Sequence, residues 1–299
     1  MSAALPLAIY QAAAQGGCQK IDRWLRRKGA HIDARCLEAA GSCLLHAAAV
    51  AGQVAMVLEL IRRRASVDVQ NDEGGTALME ACMAGHQQIV LDLLEAAASL
   101  EVHSFRGGTA LLCAASSGHT GIVRELLSRG ARVDARDSIN GTALMHAASQ
   151  GHGDVLSLLL AHCHTTLSGN FVDHRDELGE SALTCAVAGG HEECVRRILH
   201  AGADALIEAG GELTALQLAV VLPARYTSCG CVHGMHMRTV DMRLCLYCAS
   251  SKASFECATG GSGLLISRRR SSSQCSLSHG LQSRCRDFDH ARCVGTPRQ

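Results

Sequence analysis

Between Pro6 and Leu222 the apolar residues follow two alternating patterns. Short runs crowded with Ala and Leu, as in "GTALMHAASQGH" from Gly141, alternate with segments like Ile122, Val123, Leu126 and Leu127, whose apolar residues recur at helical spacing. The second pattern predicts a helix with one buried face. The first predicts a short helix packed closely on its neighbours, since alanine lets helix axes approach. A Gly-His pair divides the two, and glycine tolerates the left-handed backbone that ends a helix. The second helix stops at a glycine such as Gly130, and "GARVDARD" turns into a short extended segment. "INGT" at Ile139–Thr142 then carries the Asn-Gly signal of a tight hairpin turn.

The whole arrangement repeats. "GTALMEACMAGH" begins at Gly75, "GTALLCAASSGH" at Gly108, "GTALMHAASQGH" at Gly141 and "ESALTCAVAGGH" at Glu180. Looser copies are "GSCLLHAAAVAGQ" at Gly41 and "PLAIYQAAAQGG" at Pro6, with a truncated "LTALQLAV" at Leu213. Starts near 6, 41, 75, 108, 141, 180 and 213 are separated by 35, 34, 33, 33, 39 and 33 residues. Such a period signals a solenoid of stacked supersecondary units. In each unit a Thr or Ser precedes the Ala/Leu run, where its hydroxyl can cap free N–H groups of the first helix.

These units resemble the ankyrin repeat, a β-turn followed by two antiparallel helices. The resemblance covers roughly residues 5–222 and implies an all-α solenoid of about six to seven helix-turn-helix units with short β-turn fingers. The sequence departs from the pattern in three places. Ala77, Ala110, Ala143 and Ala182 replace the proline usual after the capping residue, and the fifth unit carries six extra residues within "HCHTTLSGNF" (162–171). The seventh unit stops at Pro223, before a second helix. Residues 223–299 read as a Cys-, Arg- and Ser-rich tail, largely disordered, with a possible substitute capping helix over 237–250 on which Met237, Val240, Leu244 and Cys248 share a face.

Composition refines this picture. Apolar residues make up 47% but aromatics only 3%, which suits many small helices better than one large core. The net charge is zero, and on that ground neither nucleic acid nor a membrane surface is expected as a partner. The balance hides an excess of seven basic charges over residues 223–299 and seven acidic ones over 1–222. No apolar run approaches the ~20 residues of a membrane span. "MSAALPLAIYQAAAQ" has no basic leader region, so the chain is expected in the cytoplasm or nucleus as a monomer. Its 16 cysteines are then reduced thiols packing as small apolar groups.

Thr142, His146 and Ser149 share one helical face, an arrangement that invites a catalytic reading. The sister copies argue against it: His146 is replaced in register by Glu80, Cys113 and Cys185, and Ser149 by Met83, Ser116 and Ala188. His86, His119, His152 and His191 recur after the glycine, consistent with a turn-closing hydrogen bond. No catalytic residue is assigned, and no phosphate-loop or zinc-protease motif is present. Cys229, Cys231, His233, His236, Cys245 and Cys248 could supply four zinc ligands, although only the C-x2-C half has ordinary spacing. No cofactor is favoured, with zinc the one metal in question. His162, Cys163 and His164 read as a polar loop, and "RRRSSS" at Arg268–Ser273 as a solvated basic run resembling a kinase site.

The resemblance implies a non-enzymatic scaffold or adaptor that binds a protein or peptide in the concave groove. The alternative is a ubiquitin-ligase-type adaptor with a zinc module in the tail. The family's variable contact positions fall, by register, on Asp72, Glu73 and Met83, then Phe105, Arg106, Ser116 and Ser117. They continue at Ser138, Ile139, Ser149 and Gln150, and at Glu177 and Leu178. Phe105, Ile139 and Leu178 are apolar at turn tips where polar residues are the norm, and they predict an exposed stripe at one register flanked by Arg106.

Overall fold

The computed structural model describes residues 4–166 and 171–206, Ala215, and the backbone of 255–260 and 263–268. The repeat body is an all-helical stack. Its inner helices are α1 (Leu7–Ala14), α3 (Leu44–Val50), α5 (Ala77–Ala84), α7 (Ala110–Ser116), α9 (Ala143–Gln150) and α11 (Ala182–Ala188). Each is followed by an outer helix: α2 (Cys18–Leu25), α4 (Val54–Arg62), α6 (Gln87–Glu95), α8 (Thr120–Ser128), α10 (Gly153–Thr166) and α12 (Glu192–His200). Inner helices pack on inner helices of adjacent units, and from α4 onward the outer helices do likewise.

The core runs as a continuous seam. Leu45, Leu78, Leu111 and Leu144 from the inner helices, and Leu60, Leu93, Leu126 and Leu159 from the outer ones, are fully buried at the same register. Between them lie Ala49, Cys82, Ala115 and Ala148, also without exposed surface. Cys82 thus takes an alanine position, where a thiol serves as a small hydrophobe. The eight described cysteines are all free.

Local chemistry explains the starts and turns. The hydroxyls of Thr76, Thr109 and Thr142 accept from the N–H of Met79, Leu112 and Met145, each at 3.4 Å, and Ser181 accepts from Thr184. Four of the fingers are closed by a side chain at their first residue. Asn71, Ser104, Asp137 and Asp176 accept from the N–H four residues on, at 2.7–2.9 Å. Asn140 adopts φ 61° in its finger, a left-handed position that asparagine tolerates.

Three ladders then tie each unit to the next. The first runs through the fingers, from the N–H of Asp72, Phe105, Ser138 and Glu177 to the carbonyls of Ala40, Glu73, Arg106 and Ile139. The second joins loops: Asp33, Asp68, Glu101 and Asp173 accept the N–H of Ser66, Ser99, Arg132 and Asp204. The third corrects the sequence reading of the recurrent histidines. His86, His119, His152 and His191 do not close their own turns. Each donates from Nε2 to a carbonyl of the preceding unit, that of Val50, Met83, Ser116 or Ser149, at 3.0–3.2 Å. The ring lies against the positive-φ glycine ending that unit's inner helix, where a Cβ on Gly85 would come within 2.5 Å of His119.

Two further features depart from expectation. The fifth-unit insertion lengthens α10 to 14 residues, against nine in α4, α6, α8 and α12, so His162 and Cys163 belong to a helix rather than a polar loop. Leu158, Leu159 and Leu160 carry the apolar pattern into the extra turn, where Cys163 is buried. In the tail, Phe255–Gly260 pairs antiparallel with Gly263–Arg268, with Gly260 opposite Gly263. Glycines between two short apolar stretches are the local signal for such a hairpin. The proposed capping helix 237–250 and the residues 216–222 of the truncated seventh unit lie outside the described residues. Among the described residues no helix is long and apolar enough to cross a membrane.

Candidate protein-interaction surface

The thirteen contact positions fall into two rows. Asp72, Glu73, Phe105, Arg106, Ser138, Ile139, Glu177 and Leu178 occupy the fingers, which the backbone ladder holds side by side. Met83, Ser116, Ser117, Ser149 and Gln150 lie at the far ends of α5, α7 and α9, about 10–12 Å away at 1.5 Å per helical residue. The finger row is the more exposed. Phe105, Leu178 and Ile139 are 74%, 65% and 44% accessible. Asp72, Glu73, Arg106, Ser138 and Glu177 are exposed too, Asp72 facing Arg35 at 3.5 Å.

In the second row Met83 and Gln150 are exposed, whereas Ser116, Ser117 and Ser149 are half-buried. Ser149 is already engaged, its hydroxyl donating to the carbonyl of His146 at 3.0 Å.

The stripe differs in detail from the expected single register. The ladder aligns Phe105 with Asp72, Ser138 and Glu177, and aligns Ile139 and Leu178 with Glu73 and Arg106. Phe105 therefore stands one residue earlier on its finger. It rests over the preceding finger, where a Cβ on Gly74 would approach its ring edge to 3.0 Å. Two exposed residues escaped the sequence reading. Val50, 47% exposed, holds the Met83 register on α3 and was legible by aligning the loose copy on its closing Gly52 with Gly85. Leu37, 76% exposed, sits in a second finger two residues longer than its sisters, and no repeat-based alignment marks it.

The catalytic arrangement dissolves in three dimensions. Thr142 uses its hydroxyl as a cap, Ser149 donates to backbone, and His146 bonds through Nε2 to the Asp137 carboxylate at 2.9 Å. No hydroxyl lies on the imidazole. His46, one position earlier in register, is buried: Nδ1 accepts from the Cys43 N–H at 3.2 Å and Nε2 donates to the Gly75 carbonyl at 3.0 Å. Burial holds its pKa below 6.5. Glu80, which does hold the His146 register, is pushed up by burial. Among the described residues no three His, Cys, Asp or Glu side chains gather as a metal site. Cys229, Cys231, His233, His236, Cys245, Cys248 and residues 269–273 lie outside the described residues.

Three copies of the family model for ankyrin repeats match residues 9–104, 98–168 and 134–209. The chain belongs to the ankyrin repeat family. Members of this family are protein-interaction modules, typically without catalysis. Solved ankyrin domains share the fold. The human ASB11 ankyrin repeat domain matches at TM-score 0.62 and 22% identity, over 80% of this chain and 96% of that one. The ankyrin repeat domain of Bcl-3, described as a unique member of the IkappaB protein family, matches at TM-score 0.58 and 27% identity, over 73% and 95%. No curated protein matches the sequence.

Proposed function

We propose that this ankyrin stack is a non-enzymatic scaffold binding a partner protein or peptide along its concave side, with the finger edge as the principal contact. One observation carries this reading: Phe105, Ile139 and Leu178 are exposed on consecutive fingers, with Arg106 in the register of the last two. Isolated exposed apolar residues are ordinary, but three on adjacent fingers form a patch whose burial by a partner is favourable. Aromatic and arginine anchors are enriched at binding hot spots. The fingers are also rigid in backbone, held by side-chain closure and ladder bonds, so little ordering cost opposes association.

The test is an affinity pull-down comparing the intact chain with a variant carrying Phe105→Ala, Ile139→Ala and Leu178→Ala. Loss of the partners captured by the wild type, with the helical circular dichroism unchanged, supports the assignment. Retention of the same partners overturns it.

A further inference from the structure

Charge is distributed unevenly along the stack. Residues 1–65 contain nine Lys/Arg and four Asp/Glu, whereas 66–206 contain eight and eighteen. Most outer helices neutralise their own arginines. Arg62 and Arg63 pair with Glu59, Arg129 with Glu125, and Arg196 and Arg197 with Glu192 and Glu193. Helix α2 does not. Ile21 and Trp24 anchor it in the core at 2% and 4% accessibility, its exposed side carries Lys20 and Arg23, and Arg26, Arg27 and Lys28 follow directly in its C-cap and the turn after it. All five are exposed, and none enters an ion pair or side-chain hydrogen bond. The one acid on the helix, Asp22, is already held by Arg63 of the next unit. A terminal repeat needs a polar outer face, but paired charges of both signs serve that need equally well.

We propose that this ridge binds the phosphate backbone of duplex nucleic acid without reading its sequence. The zero net charge of the whole chain conceals the ridge, because the acids that balance it lie in other units. Three of the five cations are arginines, whose planar forks match phosphate oxygens. The aromatic Trp24 is buried, so stacking on unpaired bases finds no platform. The ridge residues themselves expose no large apolar side chain to insert into a bilayer. A convex ridge made of a helix about 10–12 Å across and the turn that follows it can sit between the phosphate rows of a duplex groove about 12 Å wide, whereas a flat membrane would meet only its crest. The surface is separate from the finger edge, so the two assignments stand or fall independently.

The experiment is fluorescence anisotropy of a short random-sequence DNA duplex with the full chain over a series of salt concentrations. The variant is Arg23→Glu, Arg26→Glu and Arg27→Glu. A charge-matched control carries Arg124→Glu, Arg136→Glu and Arg175→Glu, exposed arginines elsewhere on the stack. The ridge variant is expected to bind at least about tenfold more weakly, with a log–log salt slope shallower by about three, while the control keeps wild-type affinity. Arg→Gln changes at the same three ridge positions repeat the reading if the glutamates unfold the first unit. No duplex binding, or equal losses in ridge variant and control, would overturn the proposal. So would ridge-dependent binding to phosphatidylserine vesicles or polyglutamate at least as tight as to the duplex.

Discussion

His119 donates from Nε2 to the carbonyl oxygen of Met83 at 3.2 Å, with its ring against Gly85. One side chain thus closes the C-terminal end of α5 and fixes the spacing between two units. The same geometry recurs at Gly118 with His152 and Gly151 with His191. In a one-dimensional stack, where each unit contacts only its neighbours, such contacts are the coupling terms that make unfolding cooperative.

Replacing His119 with alanine should lower stability by about 1 kcal/mol, the net worth of one such bond. Gly85→Ala should cost more, because φ is 79° and the new Cβ meets the ring. In a double variant the steric part should vanish and the backbone part remain, so the two losses fall short of additive. Urea unfolding of both singles and the double measures this, and strict additivity would refute the contact.

Thr142→Ala should destabilise the stack by about 1 kcal/mol through loss of the α9 cap, and Thr142→Ser should be close to neutral. Chemical denaturation of the two variants distinguishes a capping hydroxyl, which serine retains, from a methyl packing contribution, which it does not.

His46 gives a pH dependence. Burial lowers its folded pKa beneath the 6.5 of the free side chain, so below pH 6.5 the unfolded chain binds the extra proton. Its contribution is complete above that pH and is lost as pH falls toward the depressed folded value. Protonation would also cost Nδ1 its acceptor role toward Cys43. Glu80, raised by burial, acts in the opposite sense, favouring the folded state as it becomes protonated. His46→Gln should flatten the acid limb of a plot of unfolding free energy against pH; an unchanged limb would place its origin elsewhere.

Single alanine substitutions at Phe105, Ile139 and Leu178 should each change stability by no more than about 0.5 kcal/mol, as surface positions do. Larger losses in urea would mean that these side chains support the fingers rather than await a partner.

Thiol reactivity should separate the eight described cysteines. Cys18 is exposed, whereas burial pushes Cys113 and Cys163 up to about 11 and Cys185 to about 12. Brief alkylation at neutral pH followed by peptide mass mapping should modify Cys18 first and leave Cys82, Cys113, Cys163 and Cys185 largely intact. Rapid labelling of Cys82 would contradict the packed seam.

Much of the fold is legible because its signals are local. A Thr ahead of an alanine-rich run, a glycine at the helix end and apolar residues at helical spacing each act within a few residues, and repetition at a period near 33 makes them mutually confirming. The rejection of a catalytic site at Thr142, His146 and Ser149 was legible for the same reason, since sister units replace His146 and Ser149 in register.

By itself the sequence determined the repeat, its helices and caps, and the run of apolar residues at turn tips, all consequences of local backbone preference and periodic burial. Only the tertiary structure decided which carbonyl each histidine reaches, that Phe105 stands one residue before the register of Ile139 and Leu178, and that the insertion after Leu160 lengthens a helix. It also decided which arginines are neutralised across units and which, on α2 and just after it, remain free. These outcomes depend on contacts between units about one repeat apart in sequence, and hydrogen-bond partners, registers and ion pairs at that separation are set by packing rather than by the residues alongside.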